Sequence, residues 1–395
     1  MRKGFRPIAG VICLALAAGV AACGSDDGGG SSTNASGGGG LSGTIKIGAP
    51  LDTSGSAGIA VVGTDEQKGE QFAVDEINAS KFLGNAKLEL KVVDTKAAKE
   101  TAVQTVIDMT RTDKVDAIVG FTLSPSFLAA GPQAQAAKIP TIAVGLSGTG
   151  VTEVGDYIFR VYPALVEFYK KEDPKIVQAL GAKTAAYFYS SDSSNVAEQY
   201  QFRRKTLEAL GIKTVAAQGV VTDAIDYQPQ LTKIKNANPD VLVVDVNGGQ
   251  DETLLAQLEQ AGLKVPLMGD VGWGAPNVVS NPTAQCAIFT TTWDVDSTAG
   301  KNPEFVKAYA AKNGAKPSQY AAWGYDGVWM LATAMKQAGT KDPAKVRATL
   351  AGLKGMSGAL GDYDIGTNRV PTQPGVTFQI QDKKLVPWAA DKPCS

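Results

Sequence analysis

The order in which short apolar runs and amphipathic stretches follow one another after residue 43 limits this chain more than any other feature. Residues 44–49 and 87–94 alternate apolar with polar, as half-buried strands do, and the stretches 64–78 and 97–110 carry apolar residues at helical spacing. Residues 117–119 are an unbroken apolar run, which suits a parallel strand buried on both faces, and 139–144 read as a second strand. Between these two, Ser124-Pro125-Ser126 opens an Ala-rich helix, with Ser124 as N-cap and Pro125 at the first helical position. Strand and helix alternate throughout, which argues for a doubly wound parallel sheet. In such sheets ligands sit outside the carboxyl ends of the strands, where Ser54, Ser124 and Ser147 fall. Ser124 and the turn Gly145-Leu146-Ser147-Gly148 set hydroxyls and backbone N–H groups beside a helix N-terminus. That arrangement receives an anion such as a carboxylate without a full positive charge.

After Pro163 the pattern starts again. Strands are expected at 184–189, 214–220, 240–246 and 265–269, with helices at 195–210, 228–237 and 252–261. Two similar lobes with facing loop ends imply a cleft between them. Residues 289–293 read as a return crossing and the helices 303–313 and 320–337 as rejoining the first lobe. The Gly- and Pro-punctuated end, 358–392, reads as hairpins added to the second lobe. Trp323 and Trp329, at helical spacing with Tyr325 and Leu331, read as core. Asp326 reads as a capping or pairing group, and the mixed-charge run 167–175 as a solvated helix face.

The first 40 residues differ in kind. Arg2, Lys3 and Arg6 precede an apolar run over 8–22 that is short for a bilayer span, as in an export signal. Val20-Ala21-Ala22-Cys23 resembles the bacterial lipobox, in which Cys23 is acylated and becomes the mature N-terminus. Residues 24–40 are Gly, Ser, Asp, Asn, Thr and Ala only, a loose tether. Loss of residues 1–22 removes three positive charges and moves the formal charge from −1 to −4. Charges are mixed along the chain without a basic patch, so no nucleic-acid partner is expected. Cys286 and Cys394 remain, and in an oxidising compartment a disulfide between them is the default. With no His in the chain, two Cys supply too few soft ligands for a metal site, and the Ser-His-Asp and Cys-His arrangements are excluded. No cofactor is expected.

Several segments together carry a family resemblance. They are Ile45-Lys46-Ile47-Gly48, then Gly63 and Gly69 ahead of Phe72-Ala73-Val74-Asp75-Glu76-Ile77-Asn78, then Val119-Gly120 with Ser124. Tyr157-Ile158-Phe159-Arg160, Pro239-Asp240-Val241, Ala261 to Pro266 and Ala322-Trp323-Gly324-Tyr325-Asp326 complete the set. In this order and spacing they are similar to the leucine/isoleucine/valine-binding family of ABC-transporter substrate-binding proteins, over residues 43–392. The resemblance implies the type I periplasmic-binding-protein fold: α/β, two doubly wound Rossmann-like lobes joined by three crossover strands and closing by a hinge motion. Lobe 1 would comprise 43–160 and 293–356, and lobe 2 161–292 and 357–395. A signal peptide (1–22) and a lipid-anchored linker (23–42) would precede them.

The resemblance also implies roles for residues. The Ser124 hydroxyl matches the group that holds an amino-acid α-carboxylate, N–H groups near Gly145 and Ser147 share that task, and Ser147 matches the family's Thr. The carboxylate that receives the α-ammonium corresponds to Asp270, one place out of register. Tyr positions of the family fall on Val62 and Asn195, and Trp273, Tyr320 and Phe121 would supply aromatic walls instead. These departures leave the carboxylate end in place and the ligand's side chain open. The implied function is that of a monomeric solute receptor, lipid-anchored at the outer face of the cell membrane, without catalysis. It would hand an amino acid or similar small carboxylate to an ABC permease. Two other readings stand beside it: an extracytoplasmic ligand sensor signalling to a membrane receptor, and an amidase with Ser124 as nucleophile. The amidase would need a Lys or Asp base near Ser124, which no local motif supplies.

Overall fold

A computed structural model describes residues 41–55, 57–247, 249–392 and 394. The export signal, the lipid attachment at Cys23 and the tether 24–40 lie outside the described residues. The strands are β1 (Ser42–Leu51), β2 (Asn85–Asp94), β3 (Ala117–Gly120), β4 (Thr141–Ala143), β5 (Ile158–Arg160), β6 (Thr184–Ser190) and β7 (Lys213–Val220). They continue with β8 (Val241–Asp245), β9 (Leu267–Gly269), β10 (Ile288–Thr291), β11 (Met356–Gly358), β12 (Gly361–Tyr363), β13 (Val376–Gln381) and β14 (Lys384–Pro387). The helices are α1 (Ala57–Ala79), α2 (Lys99–Asp108), α3 (Ser124–Ala136), α4 (Leu165–Leu180), α5 (Ser194–Ala209) and α6 (Gln228–Ala237). After them come α7 (Gln250–Gln260), α8 (Pro276–Val279), α9 (Asn302–Asn313), α10 (Gln319–Ala338) and α11 (Pro343–Ala351).

Two sheets organise the chain. The first is wholly parallel in the order β2-β1-β3-β4-β5, and the second runs β14-β13-β10-β9-β8-β6-β7, with β13 and β14 antiparallel. In each, the chain first adds a strand on one side of its opening strand and then crosses to the other. That reversal, between β1 and β3 and between β6 and β8, opens a crevice at the carboxyl ends of the strands. The sheets define two lobes, and the chain passes between them after β5, after β10 and after β12. These three connections run as loops and extended chain, with an isolated bridge between Ile365 and Pro371 in the third.

The first lobe is closed by α1 against α10. Gly69 lies on the carbonyl of Ala321, and Gly324 lies on the backbone of Glu66, so neither position has room for a Cβ. The two helices therefore meet at backbone contact, and nearly every residue of α10, Trp323 and Trp329 included, is buried. The expectation that residues 358–392 all join the second lobe holds for β13 and β14 only. The hairpin β11–β12 packs into the first core through Met356, Leu360 and Tyr363. Asp326 of α10 draws it there: its carboxylate accepts the N–H groups of Ala359 (2.6 Å) and Leu360 (3.0 Å) and the Tyr363 hydroxyl (3.2 Å).

The run 167–175 is also not uniformly solvated. Asp173 turns inward and is 1% exposed, paired with Arg203. Cys286 and Cys394 form a disulfide with Cα atoms 5.5 Å apart, tying the C-terminal tail beside β10.

Candidate functional site

A cavity of about 90 Å³ lies between the two sets of strand ends, lined by residues from both lobes. From the first lobe come Thr122, Ser124, Gly145, Ser147 and Tyr162, and from the second Asn195, Gln199, Asn247 and Asp270. The closed arrangement is held by direct contacts across the crevice. Asn195 Nδ2 (3.1 Å) and Gln199 Nε2 (3.0 Å) both donate to Ser147 Oγ, and the Thr149 hydroxyl donates to Glu198.

The first-lobe wall depends on how β3 ends. Gly120 and Phe121 both have positive φ (153° and 71°), and the Phe121 N–H donates to Pro50 O (2.7 Å), so the chain bends sharply before α3. The bend sends the Phe121 ring into the core beneath α3, edge-on to Phe127 at 5.0 Å, and not into the cavity. Ser124 is not the N-cap: Leu123 holds that place, and Ser124 is the first residue of the helix. Pro125 lacks an N–H and starts the helix without needing a side-chain cap. That frees Ser124 Oγ, which accepts the Gly148 N–H (3.1 Å) and retains its own hydrogen for a ligand. Of the backbone donors, the Gly145 N–H is already given to Phe121 O (3.0 Å). Among the described residues none accepts the Ser147 N–H, so it remains available beside the first turn of α3.

Two groups in this wall were not legible as functional. Arg160 lies behind the loop 145–149 and donates to the carbonyls of Gly148 (2.8 Å) and Leu146. Burial pulls its pKa down to about 10, which leaves it charged at neutral pH and gives the wall a positive charge the sequence reading did not expect. Tyr162 packs at a tilt against Trp323, ring centroids 4.7 Å apart, lines the cavity, and among the described residues its hydroxyl has no partner. Behind Gly145, where a side chain would collide with it, stands Glu66, whose other oxygen accepts the Thr122 hydroxyl (2.6 Å). Burial raises the Glu66 carboxyl well above the ordinary range, against the opposing Thr122 hydrogen bond.

The second-lobe wall is built on Asp270. One oxygen accepts the Val246 N–H (2.8 Å) at the end of β8, the other the Gly272 N–H (2.7 Å) in the turn after β9. Burial pushes its pKa up to about 7, with the nearby Asp245 adding to the rise and the two N–H donors opposing it. Beneath it Arg203 pairs with Asp173 (2.8 Å) and Asp245 (3.0 Å) and reaches the Gly269 carbonyl (3.3 Å), fixing the ends of β8 and β9 from inside.

Trp273 does not face the cavity. The indole folds back over Gly269, where a Cβ would collide with the ring, into the second core, fully buried. Tyr320 does line the cavity, edge-on to Trp323 at 5.1 Å. The aromatic wall is therefore Tyr162, Tyr320 and Trp323. Ser54 stands outside it, its hydroxyl given to Asp94 (2.5 Å).

Two parallel α/β lobes with a polar cavity at facing strand ends define a ligand-trapping receptor fold. The chain belongs to the periplasmic binding protein family, whose model matches residues 44–384. An "Amino acid binding protein" of Pseudomonas aeruginosa is 27% identical over 72% of this chain and 77% of its own length. The branched-chain amino acid transporter substrate binding protein LivJ from Streptococcus pneumoniae, solved with isoleucine, is 28% identical. It superposes with a TM-score of 0.78 over 87% of this chain and 97% of its own. A solute binding protein of an ABC transporter from Rhodopseudomonas palustris BisB5, solved with 3,4-dihydroxybenzoic acid, shares the fold. Its TM-score is 0.78 at 24% identity, over 87% of this chain and 95% of its own.

Proposed function

We propose that this chain is the solute receptor of an ABC importer and captures an α-amino acid between its lobes. The observation that carries the reading is the polarity of the cavity. On the first-lobe side the Ser124 hydroxyl, the Ser147 N–H, the Tyr162 hydroxyl and the first turn of α3 offer hydrogen to a carboxylate. On the other side Asp270 offers a carboxylate to an ammonium. A zwitterion spans the two lobes only when they are closed, so binding shifts an open–closed equilibrium by its difference in affinity. Two of the three relatives named above, described as amino-acid binders, support the same reading.

Within it, lobe 1 comprises 43–160 and 293–356 and lobe 2 161–292 and 357–395, with Tyr162 and the hairpin β11–β12 packed into the first core across that boundary. The receptor works as a monomer, tethered to the outer face of the membrane through Cys23, and releases its ligand unchanged to a permease.

Calorimetric titration of ligand-stripped protein with the common amino acids and with aromatic carboxylates tests the ligand. Saturable α-amino-acid binding, weakened by Ser124→Ala and by Asp270→Asn, is the expected result. Binding confined to carboxylates without an ammonium would overturn the zwitterion reading. Cys23→Ala should move the protein from the membrane to the soluble fraction, and retention in high salt would rule out the lipid anchor.

A further inference from the structure

The 90 Å³ cavity is well below the roughly 300–1,000 Å³ of most small-molecule sites. It has room for the α-carbon and its two charged groups, and little for a side chain. Beside it lies a second chamber of about 460 Å³, and the two share Val62, Gly272 and Tyr320 as walls. The chamber is bounded by the start of α1 in the first lobe and by the start of α7 and the loop after β7 in the second. Residues of both lobes therefore line it, as they line the smaller cavity.

The charged residues lining the chamber are Asp223, Asp251 and Glu252, and the smaller cavity adds Asp270. Among the described residues no Lys or Arg lines either space. An acid in the first turn of α7 is ordinary, because it complements the helix dipole, but such acids are normally solvated. Asp251 is 3% exposed, and among the described residues its Oδ1 has no hydrogen-bond partner. The indole N–H of Trp273 lies beside it, and burial, then the neighbouring Asp270, raises the Asp251 carboxyl well above the ordinary carboxylate range, as for an acid with no cation beside it. Gly272 stands between Asp251 and Asp270. The point a methyl group on it would occupy lies 3.0 Å from Asp251 Oδ2 and 3.0 Å from Asp270 Oδ1. Two buried acids thus meet at the wall that joins the chambers, Asp270 on the side of the small cavity and Asp251 on the side of the large one, and a cation on each side would relieve them.

We infer that the larger chamber is a side-chain subsite for a cationic group and that the ligand is an α-amino acid whose side chain ends in an amine or guanidinium. This rests on the amino-acid reading above. The α-carboxylate and α-ammonium occupy the small cavity, the aliphatic stem passes Val62 and Tyr320, and the terminal cation sits against Asp251. Glu252 and Asp223, both exposed, add attraction from the rim.

The test is calorimetric titration of the ligand-stripped full chain with L-lysine, L-ornithine and L-arginine. L-norleucine, which keeps the stem and lacks the charge, cadaverine, which lacks the carboxylate, and 4-hydroxybenzoate serve as comparisons. At least one of the three cationic amino acids should bind ten times or more tighter than norleucine. Asp251→Asn should bring that ratio close to one. Glu252→Gln and Asp223→Asn, at exposed positions that leave folding untouched, should each lower it two- to threefold. Norleucine binding as tightly as every cationic amino acid would overturn the inference and leave the amino-acid reading standing. So would an unchanged ratio in folded Asp251→Asn, or in both rim variants should that one fail to fold. Binding only of cadaverine or of 4-hydroxybenzoate would overturn the inference and the amino-acid reading together.

Discussion

The first-lobe wall of the cavity is made of hydroxyls and backbone N–H groups at the start of α3, with the charge of Arg160 set behind the loop. The second-lobe wall carries the amides of Asn195, Gln199 and Asn247 and one carboxylate, Asp270, with Arg203 set beneath it between Asp173 and Asp245. In the first wall the charge is hidden and dipoles face the cavity. In the second an acid held by two backbone N–H groups faces the cavity, and a buried ion triad stands behind it. The difference matters energetically. Dipoles at a helix start cost little to keep in an empty site, whereas buried carboxylates need an internal cation and backbone donors to remain there at all.

Removing the hidden counterion should break the comparison most severely. Arg203→Leu leaves Asp173 and Asp245 buried without a partner, a loss of about 3–5 kcal/mol. Urea unfolding should register it, with the second lobe's amides losing hydrogen-exchange protection first. A loss below about 1 kcal/mol, within the range of an ordinary surface substitution, would mean that the wall does not depend on the triad.

The covalent tie is next. Cys286 and Cys394 close a long loop, with a sequence separation of 108, and Cys394→Ser should cost about 2–4 kcal/mol in thermal unfolding. Exposure to reductant should cost wild type the same and the variant nothing further.

Titration sharpens the contrast between the walls. The folded pKa of Asp270, about 7, lies above the roughly 3.9 of an unfolded Asp, so the protonated group favours the fold. Its contribution to the stability of the empty protein is complete below about pH 4 and is lost as pH rises through about 7. Ligand binding runs the other way, because an ammonium needs the ionised form. Affinity for an α-amino acid should fall about tenfold per unit as pH drops below about 7, and Asp270→Asn should abolish that slope. An unaltered slope in Asp270→Asn would assign the titration to another group.

The smallest effect belongs to the dipolar wall. Ser124→Ala removes one donor of several and should weaken amino-acid binding by about 1 kcal/mol at any pH, read by calorimetry. A pH-dependent loss there would tie Ser124 to Glu66 through Thr122.

Much of the architecture was readable because its signals are local. Residues 228–237 form α6 over the span that their periodicity marks, and the unbroken apolar run at 117–119 is a strand buried on both faces. Positions at strand ends were readable for the same reason, and Ser124, Gly145, Ser147, Asn195, Asp270 and Tyr320 all line the cavity. Orientation was not. Phe121 and Trp273 occupy the expected loops and point away, Phe121 at a positive φ and Trp273 folded over Gly269, which has no Cβ to bar it. The partner of Ser124 is 24 residues away in sequence, and the partners of Arg203 are 30 and 42 away. No spacing rule on one strand of text connects such residues.

By itself the sequence determined the alternation of strand and helix, the two sheets, and the loops that end beside the crevice. Hydrophobic period and turn residues act over a few neighbours, so the chain records them directly. Only the tertiary structure decided which side chains in those loops face inward, that Arg160 and Arg203 stand behind the two walls, and that Asp251 joins Asp270 at Gly272. Burial and charge pairing are properties of what surrounds a residue, and those surroundings exist only once distant strands have been brought together.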